Sequence, residues 1–249
     1  MTSFLRDSYV KLNNYAGHSC GWNRINTAYA LGYSWRGDAG AMEMLNLTIA
    51  DNYGISVDGN VEISFDAFKN VVNALGGVEI DLQGDEYIKM CWWRDKLNEF
   101  YTANGLEGYV DELSEGVNTL GGDMALEYAR ERHVNNADND MNRVVRQQKV
   151  LEQIISKASK LSPLELNNLI DAVLGEILTN ISADDMKTYI TELTPYLVGL
   201  KLVSYQCPAE GTYWGEMVEL PDGVSGVLKI DFAKNKQILA SIVNGEEVE

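Results

Sequence analysis

Apolar positions repeat with two periods along this chain, and each period marks a kind of element. "VEISF" and "VEIDL", residues 61–65 and 78–82, alternate and predict strands, while "AFKNVVNAL" between them sets Phe68, Val71, Val72 and Leu75 on one helical face. Asp66 stands where that helix needs a cap and Gly76-Gly77 where it must stop. The segment predicts a βαβ unit, with a crossover long enough to join parallel strands. Upstream, "MTSFLRDSYVKL" alternates around Phe4, Tyr9 and Leu12 and predicts a strand from almost the first residue. Residues 13–24 read as a loop, followed by helical stretches "RINTAYALG" and "DAGAMEMLNLTIADNYG", the second ended by Gly54.

Downstream, residues 85–100 predict a helix with an aromatic belt in which Trp92 and Trp93 serve packing. Asp140 precedes a helix running to about Lys160. Ser162-Pro163-Leu164-Glu165 is a capping box with proline at the first helical position, and Ser182 with Asp185 repeats the logic. "LKLVSYQ" predicts a late strand, residues 211–226 a hairpin or loop, and "DFAKNKQILASIV" a last helix capped by Asp231. Without a repeat or linker, the pattern predicts one α/β domain over residues 1–249, a three-layer α-β-α sandwich with a central mixed sheet.

Composition narrows what such a domain would do. A formal net charge of -17 opposes general binding to nucleic acid or an anionic lipid surface. Cys20, Cys91 and Cys207 are too few and too scattered for a disulfide framework or a zinc site, although one bridge is possible. No apolar run approaches the roughly 18 residues that span a bilayer.

Against that acidic background, residues 130–149 hold five basic residues and three acidic ones. On a wheel of about 100° per residue, Val144, Val150, Leu151, Ile154, Ile155, Ala158 and Leu161 define an apolar arc; Arg143 and Gln147 fall inside it and Arg146 on its edge. Arg143 buried alone would be very unfavourable, so the pattern demands an anionic partner: a structural carboxylate such as Asp140, or a ligand. Arg130 and Arg132, two apart, face the same way in an extended chain and arrive beside a helix N-terminus. Converging guanidiniums favour a compact anion such as phosphate.

"LGGDMALEYARERHVNNADNDMNRVVRQQKVL" resembles the core motif of the LytR-CpsA-Psr family. "TSFLRDSYV", "RINTAYALG" and "FDAFKNVVNALGGVEIDL" match three further family stretches in order, so the resemblance runs from residue 2 to about residue 205. It implies a phosphotransferase on the extracytoplasmic face of a bacterial membrane, which moves a glycopolymer from a polyprenyl-pyrophosphate carrier onto peptidoglycan or a related cell-wall acceptor. By the same resemblance Arg6, Arg130, Arg132 and Arg143 hold phosphate oxygens, Gln147 donates to the head group, and Asp140 orients the arginines or assists the reaction. Arg24 and Arg146 match basic positions on weaker motifs.

Family members also carry an N-terminal membrane helix, a first strand and aspartates that bind Mg²⁺, all lying before the Arg-Asp strand with which this chain opens. The expectation is therefore an N-terminally truncated sandwich, its metal ligands upstream of Met1 and its membrane contact made through the lipid substrate and a missing anchor. The alternative expectation is a non-catalytic module that binds polyprenyl phosphate but lacks the metal half of the site.

Overall fold

The computed structural model describes residues 1–108, 110, 112–134, 137–138, 140–182, 184–186, 188–189, 192 and 203–246. Its elements in chain order begin with β1 (Thr2–Phe4), β2 (Tyr9–Lys11), β3 (Trp22–Arg24), α1 (Ile25–Tyr53), β4 (Val61–Ile63), α2 (Phe65–Ala74) and β5 (Val78–Leu82). Next come α3 (Gly84–Asn104), β6 (Gly116–Leu120), α4 (Gly122–Arg130), β7 (His133–Val134), β8 (Ala137–Asp138), α5 (Asp140–Ala158) and α6 (Pro163–Val173). The last are β9 (Ile177–Thr179), β10 (Tyr205–Cys207), β11 (Tyr213–Leu220), β12 (Gly223–Ile230) and α7 (Phe232–Val243). The chain is mixed α/β, as its pattern predicts, and its strands pair in both senses: β1 with β10 in parallel, the other named pairs antiparallel. Contacts divide it into two compact units, residues 1–60 with 203–249, and residues 61–202.

In the first unit the opening segment is not one strand. β1 pairs with β10, Leu5 N–H donates to Cys207 O at 2.8 Å, and a turn closed by Ser8 N–H to Leu5 O at 3.1 Å then redirects the chain into β2 against β3. The two halves have different partners, so the chain must turn between them, and Arg6 and Asp7 occupy that turn. α1 contains both predicted helical stretches, which meet at non-helical Arg36 and Gly37. The chain folds back there so tightly that a Cβ on Gly32 would lie 2.2 Å from Gly40 O, and only glycine permits that approach. Val10, Ile25, Met44, Tyr53, Cys207, Ile230 and Leu239 form the core of this unit. All three cysteines are free, and burial pushes the Cys207 thiol up to about 12, which keeps it protonated.

The second unit corrects two local expectations. Ser64, not Asp66, caps α2, its Oγ accepting Ala67 N–H at 3.1 Å; Asp66 sits in the first turn and pairs with Lys69 at 2.7 Å. The extended backbone at Ser64 makes it the last non-helical residue, which is where a cap must stand. β4 and β5 do not pair in parallel: β4 pairs with β9, and β5 runs antiparallel to β6 after α3. Alternation identified both strands, but their partners lie more than thirty residues away in sequence and outside the βαβ window. β5 has Val78, Ile80 and Leu82 buried and Glu79 and Asp81 exposed, and its apolar face meets Val72, Met90, Met124, Tyr128 and Val150.

The later caps form as predicted. Ser162 Oγ accepts Glu165 N–H at 3.3 Å while Glu165 accepts Ser162 N–H at 2.8 Å; Ser182 Oγ accepts Asp185 N–H at 3.1 Å; Asp231 accepts Lys234 N–H at 3.0 Å. Of residues 211–226, all from Tyr213 on fall within the β11–β12 hairpin. The predicted strand "LKLVSYQ" contributes Tyr205 and Gln206 to β10, and its first residues lie outside the described ones.

Candidate anion-binding site

The site begins with the close seating of α4. A Cβ on Gly122 would lie 2.4 Å from Lys69 O, and Gly122 N–H donates to Asn73 Oδ1 at 2.7 Å, so the small-residue turn lets α4 start against α2. Met124, Ala125, Tyr128 and Ala129 then face the core, and α4 delivers Arg130 at its exposed C-terminal end. Beyond it the chain turns extended at Glu131 and enters β7.

Glu131 organises this junction. Its side chain is 4% exposed, and its carboxylate accepts Trp93 Nε1–H at 2.6 Å and His133 N–H at 2.6 Å, with Lys89 Nζ 3.6 Å away. Burial pushes this carboxyl up, but the hydrogen bonds from Trp93 and from the His133 and Arg132 amides, with the Lys89 charge, more than offset it and hold Glu131 below the usual carboxylate range. The Glu131 carbonyl accepts Arg146 Nη1–H at 3.0 Å, and Arg146 Nε donates to Glu86 at 2.7 Å. Arg146, buried, also lies 5.9 Å from the centre of the Tyr128 ring. These bonds pin the first half of α5 to the end of α4, and Arg143 sits one turn nearer the start of α5, about 4.5 Å along the axis.

Arg130, Arg132, Arg143 and Arg146 all belong to the second unit, though not with the orientations the wheel gave. Arg146 faces the core, Arg143 is half-buried and Gln147 is exposed, as is Leu151. The true inward stripe runs through Arg146, Val150 and Ile154. The wheel followed apolar residues alone, whereas Glu86 and the Glu131 carbonyl make an arginine the side chain that fits the inner face. Arg130 is 51% exposed, 3.4 Å from Glu127 and 4.8 Å from the centre of the Phe65 ring; Arg132 is half-exposed. Asp140 heads α5, and its side chain lies outside the described residues.

Arg6 and Arg24 belong to the first unit. Arg6, exposed in the turn after β1, lies 3.3 Å from Asp7. Arg24 at the end of β3 reaches Asp222 at 3.3 Å and Ser225 at 3.4 Å. Glu86, Trp93 and Glu131 were missed by sequence reasoning; the available signal was an acid set between two arginines in "ARERH". A cleft of about 530 Å³ in the second unit, lined by Tyr101, Glu107, Glu112, Leu113 and Asp123 among others, has none of these arginines in its walls. Among the described residues no group of three or more His, Cys, Asp or Glu side chains is placed to hold a metal ion.

Fold and junction together define a mixed α/β protein with an arginine-rich helix start. The LytR_cpsA_psr family model matches residues 1–217, and the chain belongs to that family. It is 30% identical over 218 residues to the Bacillus subtilis polyisoprenyl-teichoic acid–peptidoglycan teichoic acid transferase TagT, covering 86% of this chain and 59% of that one. It is 28% identical to biofilm regulatory protein A of Streptococcus mutans, covering 85% and 48%. The solved structure of TagT bound to LIIa-WTA superposes with a TM-score of 0.65 at 27% identity, over 99% of this chain and 79% of that one. The chain thus spans about half to three-fifths of the length of these two curated relatives.

Proposed function

We propose that the chain acts as a phosphotransferase that moves a glycopolymer from a polyprenyl-pyrophosphate carrier onto peptidoglycan or a related acceptor, at the extracytoplasmic face of the membrane. The observation that carries this reading is the similarity to TagT across 86% of the chain, which includes the arginine junction. No helix among the described residues is long and apolar enough to cross a membrane.

In the proposed reaction an acceptor hydroxyl oxygen attacks the phosphorus that bears the sugar. The bond from that phosphorus to the bridging oxygen breaks, lipid phosphate leaves, and the hydroxyl proton passes to a base or to water. Negative charge grows on the equatorial and leaving oxygens, and guanidinium forks stabilise it. Arg130, Arg132 and Arg143 supply those forks; Gln147 donates to the head group, and Asp140 orients the arginines or assists proton transfer. Arg146 has a different part: held by Glu86 and Glu131, it fixes the frame on which the others stand.

Thermal denaturation with inorganic pyrophosphate and with a short-chain prenyl pyrophosphate tests the reading. At a hundred times its dissociation constant a ligand adds about 2.7 kcal/mol, a clear rise in Tm, and Arg143→Ala should abolish it. No stabilisation by either ligand would sink the proposal. Stabilisation without transfer of a lipid-linked glycopolymer would leave the non-catalytic binding module.

A further inference from the structure

An exposed face of the first unit carries a row of rings that the arginine junction does not use and whose Trp22 also touches Phe232 beside the core, with centroids 6.2 Å apart. β2 and β3 pair with Tyr9 opposite Arg24 and Lys11 opposite Trp22, so these four side chains share one face, while Val10 points the other way and is fully buried. Ser8 bridges Leu228 in parallel and Leu228 N–H donates to Asp7 O at 2.9 Å, which lays β12 beside β2 and sets Lys229 next to Tyr9. Lys229 Nζ accordingly lies 4.2 Å from the centre of the Tyr9 ring. Trp214 is the cross-strand partner of Lys229 on β11 and stands on the same face. At the other end Trp22 stacks on Tyr9, with centroids 5.4 Å apart and planes at 27°. Strands spaced about 4.8 Å apart carry this row across about 14 Å of surface. Trp214 is 55% exposed and Trp22 46%.

Two half-exposed indoles in one row leave a large apolar area in water, the mark of a surface that meets a partner. The polar groups around the row decide which. Lys229 lies 3.7 Å from Glu216 and Arg24 lies 3.3 Å from Asp222, so two of the three cations of the face, Lys11 being the third, already have a carboxylate beside them. Such a face offers little to a polyanion, and the net charge of -17 repels one, as it repels an anionic lipid surface. It suits an uncharged ligand that has apolar faces rimmed by hydroxyls. A pyranose ring is built that way: its axial C–H bonds form a flat, weakly positive face for the negative face of an indole, and its hydroxyls reach outward to Glu216, Ser225 and Lys229.

We infer that Trp22 and Trp214, with Tyr9 packed between Trp22 and Lys229 as their support, form a stacking platform for an uncharged polysaccharide chain. In the reaction proposed above this chain is the acceptor glycan; that role rests on the transferase reading, whereas the binding does not.

The test is to titrate the whole chain with a hexamer of β-1,4-linked N-acetylglucosamine and separately with a glucose hexamer, followed by tryptophan fluorescence and calorimetry. Saturable binding to at least one is expected, with Trp22→Ala and Trp214→Ala each weakening it about tenfold and Trp22→Phe recovering most of it. Circular dichroism establishes that each variant is folded. Both alanine variants should keep parental pyrophosphate affinity and Arg143→Ala should keep hexamer affinity, so the platform and the transferase reading fail separately. Failure of both hexamers to bind, or alanine variants that bind like the parent, overturns the platform. So does capture on phosphatidylcholine vesicles that the same variants abolish, which would make the row a membrane contact.

Discussion

Arg146 and Arg130 lie at the same α4–α5 junction in opposite surroundings. Arg146 is 6% exposed, with Glu86 at 2.7 Å, the Glu131 carbonyl at 3.0 Å and the Tyr128 ring beneath it. Arg130 is half exposed, 3.4 Å from Glu127, and rests on Phe65. A guanidinium has five donors in a fixed fork, so the number already committed decides what it has left for a ligand. The inner arginine is part of the scaffold, and the outer one can turn toward a guest. An arginine cluster read from sequence is thus two populations, and their partners sort them.

The sharpest way to break this contrast is to remove the inner arginine. Arg146→Ala leaves Glu86 without its cation and the Glu131 carbonyl without its donor, and breaking such a buried pair costs about 3 kcal/mol or more. Thermal unfolding of parent and variant reads this directly, and Arg146→Lys should recover part of it by keeping the charge without the fork. A variant with parental Tm but no pyrophosphate affinity would make Arg146 a ligand residue and erase the distinction.

Glu131 comes next in size. Glu131→Gln keeps the shape but loses the charge to which Trp93 and the His133 amide donate, for an expected loss of about 2 kcal/mol in unfolding free energy. Because the folded carboxyl is depressed, its stabilisation is complete above the unfolded value, about 4.3, and is lost as pH falls from there through the lower folded value. Parent stability measured from pH 6 to pH 3 should therefore drop more steeply than that of Glu131→Gln. Parallel curves would show that the buried carboxylate does not drive the junction.

These two residues also mark where sequence reading stopped. Local signals carried far: the Ser162–Glu165 box, the Asp231 cap, the extent of α5 and the core face of β5 all depend on residues within a few positions of one another. What was missed needed a distant partner. β4 and β5 read correctly as strands, but β9 and β6 claimed them; the inner face of α5 was misplaced because Glu86, sixty residues away, makes Arg146 an inward residue. Spacing singled out Arg130, Arg132 and Arg143 as candidates, while the Glu131 network at their junction was not visible in it.

The smallest stability effect is the most informative about the outer population. Arg130 contributes an exposed pair with Glu127 and a ring contact with Phe65, and such terms are worth about 0.5 to 1 kcal/mol, so Arg130→Ala should barely move the Tm. Burial already raises the Glu127 carboxyl, with Arg130 opposing that rise, so its loss should lift the titration of Glu127 further, readable by carboxyl NMR. Pyrophosphate affinity should nevertheless fall about ten- to a hundredfold, because a charge-assisted fork to phosphate is worth about 1.5 to 3 kcal/mol. The comparison then stands on two numbers of opposite rank: Arg146→Ala costs stability first, and Arg130→Ala costs affinity with stability nearly intact. Equal losses of stability in both variants would mean that the half-exposed arginine is as structural as the buried one.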